Sequence, residues 1–176
     1  MNIILIGMRG SGKSTIGKLL AKKLNKKFID MDKLLVEREG QQLPAMISLH
    51  SWEYFRDKES EIAEEVSKVS NTVISTGGGV ILRKKNINTL GNNGIFIFLK
   101  APIAELIKRI GNGKSRPSLT GKKTSVDEME EIWNERKLLY EKYADIIINT
   151  DDKTPNAIVE KIISILKEKQ FNNETI

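Results

Sequence analysis

The nine residues GMRGSGKST, at positions 7–15, constrain the fold of this chain more than any other stretch. They match the pattern G-x-x-x-x-G-K-[ST], in which glycines let the backbone wrap closely around anionic oxygens. The matching residues are Gly7, Gly12, Lys13 and Ser14. A short apolar run, residues 2–6, precedes the loop, and residues 14–24 after it carry apolar side chains at helical spacing. This strand–loop–helix order predicts a phosphate-binding loop.

Each part of the loop has an expected chemical role. Backbone N–H groups at the start of the helix point at the phosphates of a bound nucleotide. We expect Lys13 to reach the β- and γ-phosphates, and the Ser14 hydroxyl to ligate Mg²⁺.

The remainder of the chain alternates predicted strands and helices. The predicted strands are residues 2–6, 27–30, 72–76, 95–99 and 144–149. The predicted helices are residues 14–24, 31–39, 43–50, 52–70, 83–90, a helix opening at Pro102, 125–142 and 155–169. This alternation predicts an α/β fold with a mostly parallel sheet covered on both faces, with ligands at the carboxyl ends of the strands. The 176 residues fit a single domain, 1–176, with a frayed tail over 170–176.

Composition excludes several classes of site. The chain has no cysteine, which rules out disulfides and thiolate metal sites, and its one histidine, His50, makes no His-rich metal site. The net charge of +6 comes from lysines spread along the chain, which suits an anionic nucleotide and does not favour nucleic-acid binding. The N-terminal apolar run is too short for a signal peptide or a membrane span. We therefore expect a cytoplasmic protein that binds no membrane.

The end of the third strand bears on the fate of the phosphate. The sequence contains neither the N-K-x-D motif nor the D-x-x-G switch of signalling GTPases. Where a motor-type ATPase usually has an acidic pair that positions water, this chain has Gly77, Gly78 and Gly79. Three glycines favour close approach of a second substrate, and hence transfer of the phosphate to an acceptor.

Two aspartates close the second strand, Asp30 and Asp32. If the segment is extended, residues two apart point the same way, so both carboxylates face the γ-phosphate. One can then hold the water shell of magnesium, and the other can accept the proton of a substrate hydroxyl. The alternative is that one aspartate caps the following helix.

Two arginines on predicted helices are candidates for binding an anionic acceptor. Arg56 has Glu59 three residues later, close enough on a helix to orient it, and Arg136 lies on the helix after residue 125. Two converging guanidinium groups form a bidentate clamp for a carboxylate. Taken singly, each can instead be a solvated surface charge.

Residues 111–124 break the periodic pattern. They are polar, contain three glycines and include Arg116 followed by proline. We expect a mobile lid that carries Arg116 onto the transferring phosphate and excludes water. A plain connecting loop is the alternative.

Over residues 2–168 the chain resembles the shikimate kinase family of P-loop kinases. The resemblance rests on GMRGSGKST, the DMD pair, FRDKE, the triple glycine, the RP lid and ERKLLY, in the family's order and spacing. It implies a three-layer fold with a five-stranded parallel sheet of order 2-3-1-4-5, flanked by helices, with a mobile lid at 111–124 and a substrate-binding helical region at about 31–60. The implied reaction is ATP-dependent phosphorylation of the 3-hydroxyl of shikimate, in the pathway to chorismate and the aromatic amino acids.

The resemblance also assigns residues. It implies that Lys13, Asp32 and Arg116 are catalytic, with Asp32 touching the acceptor hydroxyls and serving as base, and that Ser14 and Asp30 hold Mg²⁺. The residues implied for ATP are Gly10, Ser11, Gly12, Lys13, Ser14, Thr15, Arg109, Arg116, Lys153 and Pro155. The residues implied for shikimate are Asp32, Arg56, Gly77, Gly78, Gly79 and Arg136. A monomer with only small-molecule partners is expected.

The chain departs from the family pattern at a few positions. Ser118 replaces the first leucine of RPLL, Leu138 replaces the proline of ERxPLY, and Ser51 and Trp52 stand where Gly-Glu is common. None removes a charge that the chemistry requires, but they bear on lid packing and pocket shape.

Two other readings remain. One is a kinase for another hydroxylated acid, such as gluconate, or for a nucleoside monophosphate. The other is a nucleotide-binding regulatory module that does not transfer phosphate.

Overall fold

The fold is a parallel sheet with helices on both faces, seen in a computed structural model that describes residues 1–111 and 125–173. Side chains are described within those ranges except for 125–127 and 170–173. The strands are β1 (Asn2–Ile6), β2 (Lys27–Asp30), β3 (Thr72–Ser75), β4 (Gly94–Lys100) and β5 (Ile146–Asn149). They pair in parallel in the order β2-β3-β1-β4-β5. The predicted fold class and strand order are confirmed.

Eight α-helices are found in the described residues. They are α1 (Lys13–Lys23), α2 (Met31–Glu39), α3 (Leu43–Leu49), α4 (Trp52–Ser67), α5 (Lys84–Gly91), α6 (Ile103–Ile110), α7 (Ser125–Tyr143) and α8 (Pro155–Asn173). A short 3₁₀ helix, Val80–Leu82, lies between β3 and α5. Helix α4 ends at Ser67, three residues before the predicted end, and Asn71, with φ of 57°, directly precedes β3.

Alternation along the central strand divides the core between the two faces of the sheet. Ile4 and Ile6 of β1 pack on one face, and Ile3 and Leu5 pack on the other. The first face packs under α4, α5 and α7, and the second packs under α1 and α8. Because β1 is buried along its whole length, the loop that follows it starts from a fixed position.

The junction of β2 and α2 differs from the expectation of an extended DMD segment. Asp30 is the last strand residue, and its Oδ1 accepts a hydrogen bond of 3.3 Å from the Lys33 backbone N–H, so it caps α2. Asp32 therefore lies in the first turn of the helix, and the period-two argument for the pair was wrong. The capping alternative is correct for Asp30, and it does not exclude a second role.

Within residues 1–111 and 125–173, no helix is both long enough and apolar enough to span a membrane. The predicted lid, with Arg116 and Ser118, lies outside the described residues apart from Gly111, as do the last three residues of the predicted tail.

Candidate active site

The loop after β1 leads directly into α1, as the motif predicts. Gly12 caps the helix with φ of 92°, a left-handed conformation that favours glycine. Four of the residues predicted to contact the nucleotide, from Ser11 to Ser14, sit at this start of the helix. The N-terminus of a helix is an anion-binding site, because its first backbone N–H groups have no acceptor within the helix.

The Lys13 side chain folds back over the loop. Its Nζ donates hydrogen bonds to the carbonyl oxygens of Gly7 (2.8 Å) and Met8 (2.9 Å). The side chain is buried, so its ammonium group is held at the mouth of the loop where the phosphates of a nucleotide would bind. The phosphate role of Lys13 stays a prediction.

Ser14 and Asp30 meet at the carboxyl ends of β1 and β2. The Ser14 hydroxyl donates a 2.5 Å hydrogen bond to Asp30 Oδ2 and lies 3.4 Å from the Ser75 hydroxyl. Hydroxyl and carboxylate oxygens are the ligands that Mg²⁺ prefers. Among the described residues, no cluster of three or more His, Cys, Asp or Glu side chains is arranged to hold a metal alone. A magnesium ion here would complete its shell with phosphate oxygens and water, as is usual beside a nucleotide.

A cavity of about 280 Å³ lies beside the loop, between the triple glycine and the helices α2, α3, α4 and α7. Its lining combines charged and apolar side chains. The charged residues lining it are Arg9, Asp32, Arg56, Glu59 and Arg136. The apolar residues lining it are Met8, Leu43, Pro44, Ile47, Trp52, Phe55, Met129 and Ile132. Such a cavity suits a small ring that carries hydroxyl and carboxylate groups.

Arg56 is held in place from several sides. Its Nη1 donates to Glu59 Oε2 at 2.6 Å, and its guanidinium lies 4.9 Å from the Phe55 ring centroid and 5.4 Å from that of Trp52. Only 14% of the Arg56 side chain and 4% of the Glu59 side chain are exposed. Burial raises the pKa of Glu59 above its ordinary value, and the positive charge of Arg56 opposes this. The pair fixes the guanidinium at the cavity wall.

Arg136 reaches the same cavity from α7. Its Nη1 donates to the Gly78 carbonyl at a long 3.4 Å, and its buried Nε has no hydrogen-bond partner among the described residues. Tyr140, one turn later on the helix, donates its hydroxyl to the same carbonyl. Burial raises the pKa of Tyr140, so this hydroxyl stays protonated and remains a donor.

The triple glycine packs directly against these side chains. A Cβ on Gly79 would lie 2.2 Å from both Nη atoms of Arg56. A Cβ on Gly77 would lie 2.7 Å from Glu59 Oε1 and 2.8 Å from Asp32 Oδ1, so the two carboxylates converge at this glycine. The absence of side chains here is what allows Arg56, Glu59 and Asp32 to close around one point.

Residues predicted to flank the base of the nucleotide gather at the end of β5. Arg109 on α6 donates from Nε to Glu105 (3.0 Å) and from Nη2 to the Thr150 carbonyl (2.7 Å). Lys153 donates to the Asn149 carbonyl at 3.3 Å, and Pro155 starts α8 and is exposed. Arg109 and Lys153 are thus both bonded to backbone carbonyls at the end of β5, and their role at the base stays a prediction.

The structure thus brings the predicted acceptor residues Asp32, Arg56 and Arg136 to a single cavity, although their roles stay predictions. Among the departures from the family pattern, Trp52 lines the cavity, while Leu138 is 67% exposed and points away from the core.

Sequence reasoning did not assign Arg9 and Tyr140. Tyr140 follows Arg136 by four residues, a helical spacing that places both on one face and could have indicated it. Arg9 occupies a variable position of the loop motif, which carried no such signal.

Comparison with known proteins gives consistent matches. The family model described as shikimate kinase matches residues 9–167. A shikimate kinase of Caldicellulosiruptor bescii is 42% identical over 170 residues, covering 96% of this chain and 97% of the relative. One from Sulfurihydrogenibium is 39% identical over 168 residues, covering 96% and 99%. The solved structure of shikimate kinase from Acinetobacter baumannii in complex with shikimate has a TM-score of 0.90 at 27% identity, covering 96% of this chain and 93% of that one.

Proposed function

Since this chain belongs to the shikimate kinase family, we infer that it transfers the γ-phosphoryl group of ATP to the 3-hydroxyl of shikimate, giving ADP and shikimate 3-phosphate. The observation that carries this conclusion is the cavity in which Asp32, Arg56 and Arg136 meet beside the phosphate-binding loop. A kinase acting on ATP also implies a metal associated with the nucleotide.

The acceptor is oriented by the charged side chains that line the cavity. Arg56 and Arg136 bind the shikimate carboxylate with guanidinium N–H groups. Apolar side chains of the lining, including Phe55 and Ile132, contact the carbon ring. Gly77, Gly78 and Gly79 give the ring a backbone surface to lie on, and Asp32 meets the hydroxyl groups.

The transfer step follows from this placement. Asp32 accepts the proton of the shikimate 3-hydroxyl while the oxygen of that hydroxyl forms a bond to the γ-phosphorus. The bond between the γ-phosphorus and the β,γ-bridging oxygen breaks, and ADP leaves. Lys13 neutralises charge that develops on the β- and γ-phosphate oxygens. Arg116 adds a further positive charge from the proposed lid, residues 111–124.

Magnesium fits the oxygen pair of Ser14 and Asp30, and when bound it supplies positive charge to the phosphates. Backbone groups of the loop, from Gly10 to Thr15, hold the phosphates, and Arg109, Lys153 and Pro155 flank the adenine. We further propose one kinase domain over residues 1–176, with residues of about 31–60 as the acceptor-binding region, acting as a cytoplasmic monomer in chorismate biosynthesis.

An assay of ADP release tests the proposal directly. With ATP and magnesium, turnover should depend on shikimate and should be far slower with gluconate or AMP in its place. Mass spectrometry should find one phosphoryl group added to shikimate. Turnover with a different acceptor would replace the substrate assignment, and binding of shikimate without any ADP release would refute the proposed activity.

A further inference from the structure

We propose that Tyr140 is a positioning residue for the acceptor site. Its hydroxyl donates a hydrogen bond to the Gly78 carbonyl, and this leaves the Arg136 guanidinium available to the acceptor carboxylate. This inference rests on the proposed function, because it assigns a role within the same cavity. Tyr140 lies behind the cavity wall and is not among the residues that line it.

The Gly78 carbonyl is the point at which α7 is tied to the glycine turn. Thr76 anchors the start of the turn to the Leu5 carbonyl through its N–H (3.2 Å) and its hydroxyl (2.9 Å). The carbonyls of Gly77 and Gly79 accept from N–H groups of the following 3₁₀ turn. The described donors to the middle carbonyl, that of Gly78, come instead from α7.

Two donors from α7 therefore share one acceptor. Tyr140 makes the shorter bond, and Arg136 Nη1 stands at 3.4 Å, near the limit of a hydrogen bond. The buried Nε of Arg136 has no hydrogen-bond partner among the described residues, so this N–H is left for an acceptor. A carboxylate ligand would satisfy these donors.

The position of the Tyr140 hydroxyl is fixed by the packing of its ring. The side chain is fully buried, and its ring stacks on that of Phe98 from β4 with centroids 5.1 Å apart and planes 15° apart. The ring packing thus fixes the distance of the hydroxyl from the sheet. Without the Tyr140 hydroxyl, Arg136 would be the one remaining donor to the Gly78 carbonyl among the described residues. The guanidinium would then move toward this carbonyl and away from the acceptor.

The variant Tyr140→Phe removes the hydroxyl and keeps the stacked ring. We expect the KM for shikimate to rise about fivefold to tenfold, the value of roughly one hydrogen bond, with kcat and the KM for ATP changed less than about twofold. Tyr143→Phe is the matched control, because it makes the same chemical change on the same helix, and no hydrogen bond of the Tyr143 hydroxyl is found among the described residues. It should leave both KM values unchanged.

A double-mutant cycle separates positioning from a general structural effect. In the Arg136→Ala background, Tyr140→Phe should change the KM for shikimate less than about twofold, since the residue it acts through is gone. The same loss of effect is expected with the carboxamide of shikimate as acceptor, which lacks the charge that Arg136 binds. Thermal unfolding of each variant establishes that it is folded.

The inference is overturned if Tyr140→Phe behaves like Tyr143→Phe, if its effect is as large without Arg136 as with it, or if it lowers kcat and leaves the KM for shikimate unchanged. These results differ from failure of the proposed function, in which the unmodified protein itself would not phosphorylate shikimate.

Discussion

Gly79→Ala should separate the function of the acceptor site from the stability of the fold. The added Cβ would lie 2.2 Å from Arg56 Nη1 and Nη2, whereas ordinary van der Waals contact starts at 3.4 Å. The guanidinium must therefore move by 3.4 − 2.2 = 1.2 Å. Because it ends a flexible side chain, it can move without disturbing the backbone, and we expect the variant to fold.

The functional loss can be estimated from the bonds that Arg56 makes. A shift of this size takes the guanidinium out of the geometry set by its 2.6 Å bond to Glu59 and by the Phe55 and Trp52 rings. Loss of one charged hydrogen bond to the acceptor carboxylate costs about 1.5–3 kcal/mol, or about tenfold to 150-fold in kcat/KM for shikimate.

Steady-state kinetics with shikimate and ATP varied in turn measures this effect. Gly78→Ala is the matched comparison, since its Cβ would meet its nearest atoms only at ordinary contact distances: Arg9 N at 3.6 Å, and the Gly7 carbonyl and the Tyr140 hydroxyl at 3.7 Å. It should lose far less, about threefold or less, as expected for a methyl group at ordinary contact distance. If Gly79→Ala kept the parent kcat/KM for shikimate, or lost it only through the KM for ATP, the placement of Arg56 at the acceptor would be wrong.

Three further changes test other parts of the site. Lys13→Met should lower kcat about a hundredfold to a thousandfold, because the transition state loses one preorganised hydrogen-bond donor, while circular dichroism should show an intact fold. A variant with the kcat of the parent protein would refute the phosphate role of Lys13. Asp30→Asn keeps a good cap for α2 but weakens the oxygen pair with Ser14, so the magnesium concentration for half-maximal activity should rise; an unchanged magnesium titration would contradict the metal assignment. Burial raises the pKa of Glu59 above the ordinary 4.5, so its ionisation opposes folding. The free energy of unfolding of the parent, relative to Glu59→Gln, should therefore fall as pH rises above 4.5 through the raised pKa; urea titrations that give a constant or rising difference would show that Arg56 outweighs burial.

The sequence predicted the parts of the fold that depend on local pattern. The loop motif and the buried run of β1 specify a strand, a turn and a helix in order, and alternating strands and helices then restrict the topology. Boundaries were less predictable where a side chain competes with the backbone. At Asp30 the capping bond to the Lys33 N–H starts α2, so the extended segment ends two residues earlier than the paired-aspartate argument required.

The site was predicted as a set of residue types, and only the three-dimensional structure relates them to one another. Arg56 and Glu59 are three apart on a helix, so their pairing was expected from spacing. The contact between Arg56 and Gly79 joins elements 23 residues apart, and nothing in the local pattern indicates which of three glycines meets the guanidinium. The shared use of the Gly78 carbonyl by Arg136 and Tyr140 is likewise a property of how α7 packs on the sheet.

The pairing of β1 with β3 determines the distance between the two reactants. Leu5 lies opposite Ser75, so the donor loop and the glycine turn leave the sheet as adjacent chains about 4.8 Å apart at their roots. Substitutions in α2, α3 or α4 can therefore change which alcohol fits while leaving this interval untouched. A one-residue shift in the pairing register of β1 and β3 would instead lengthen the distance between donor and acceptor for every acceptor, whatever its shape or charge.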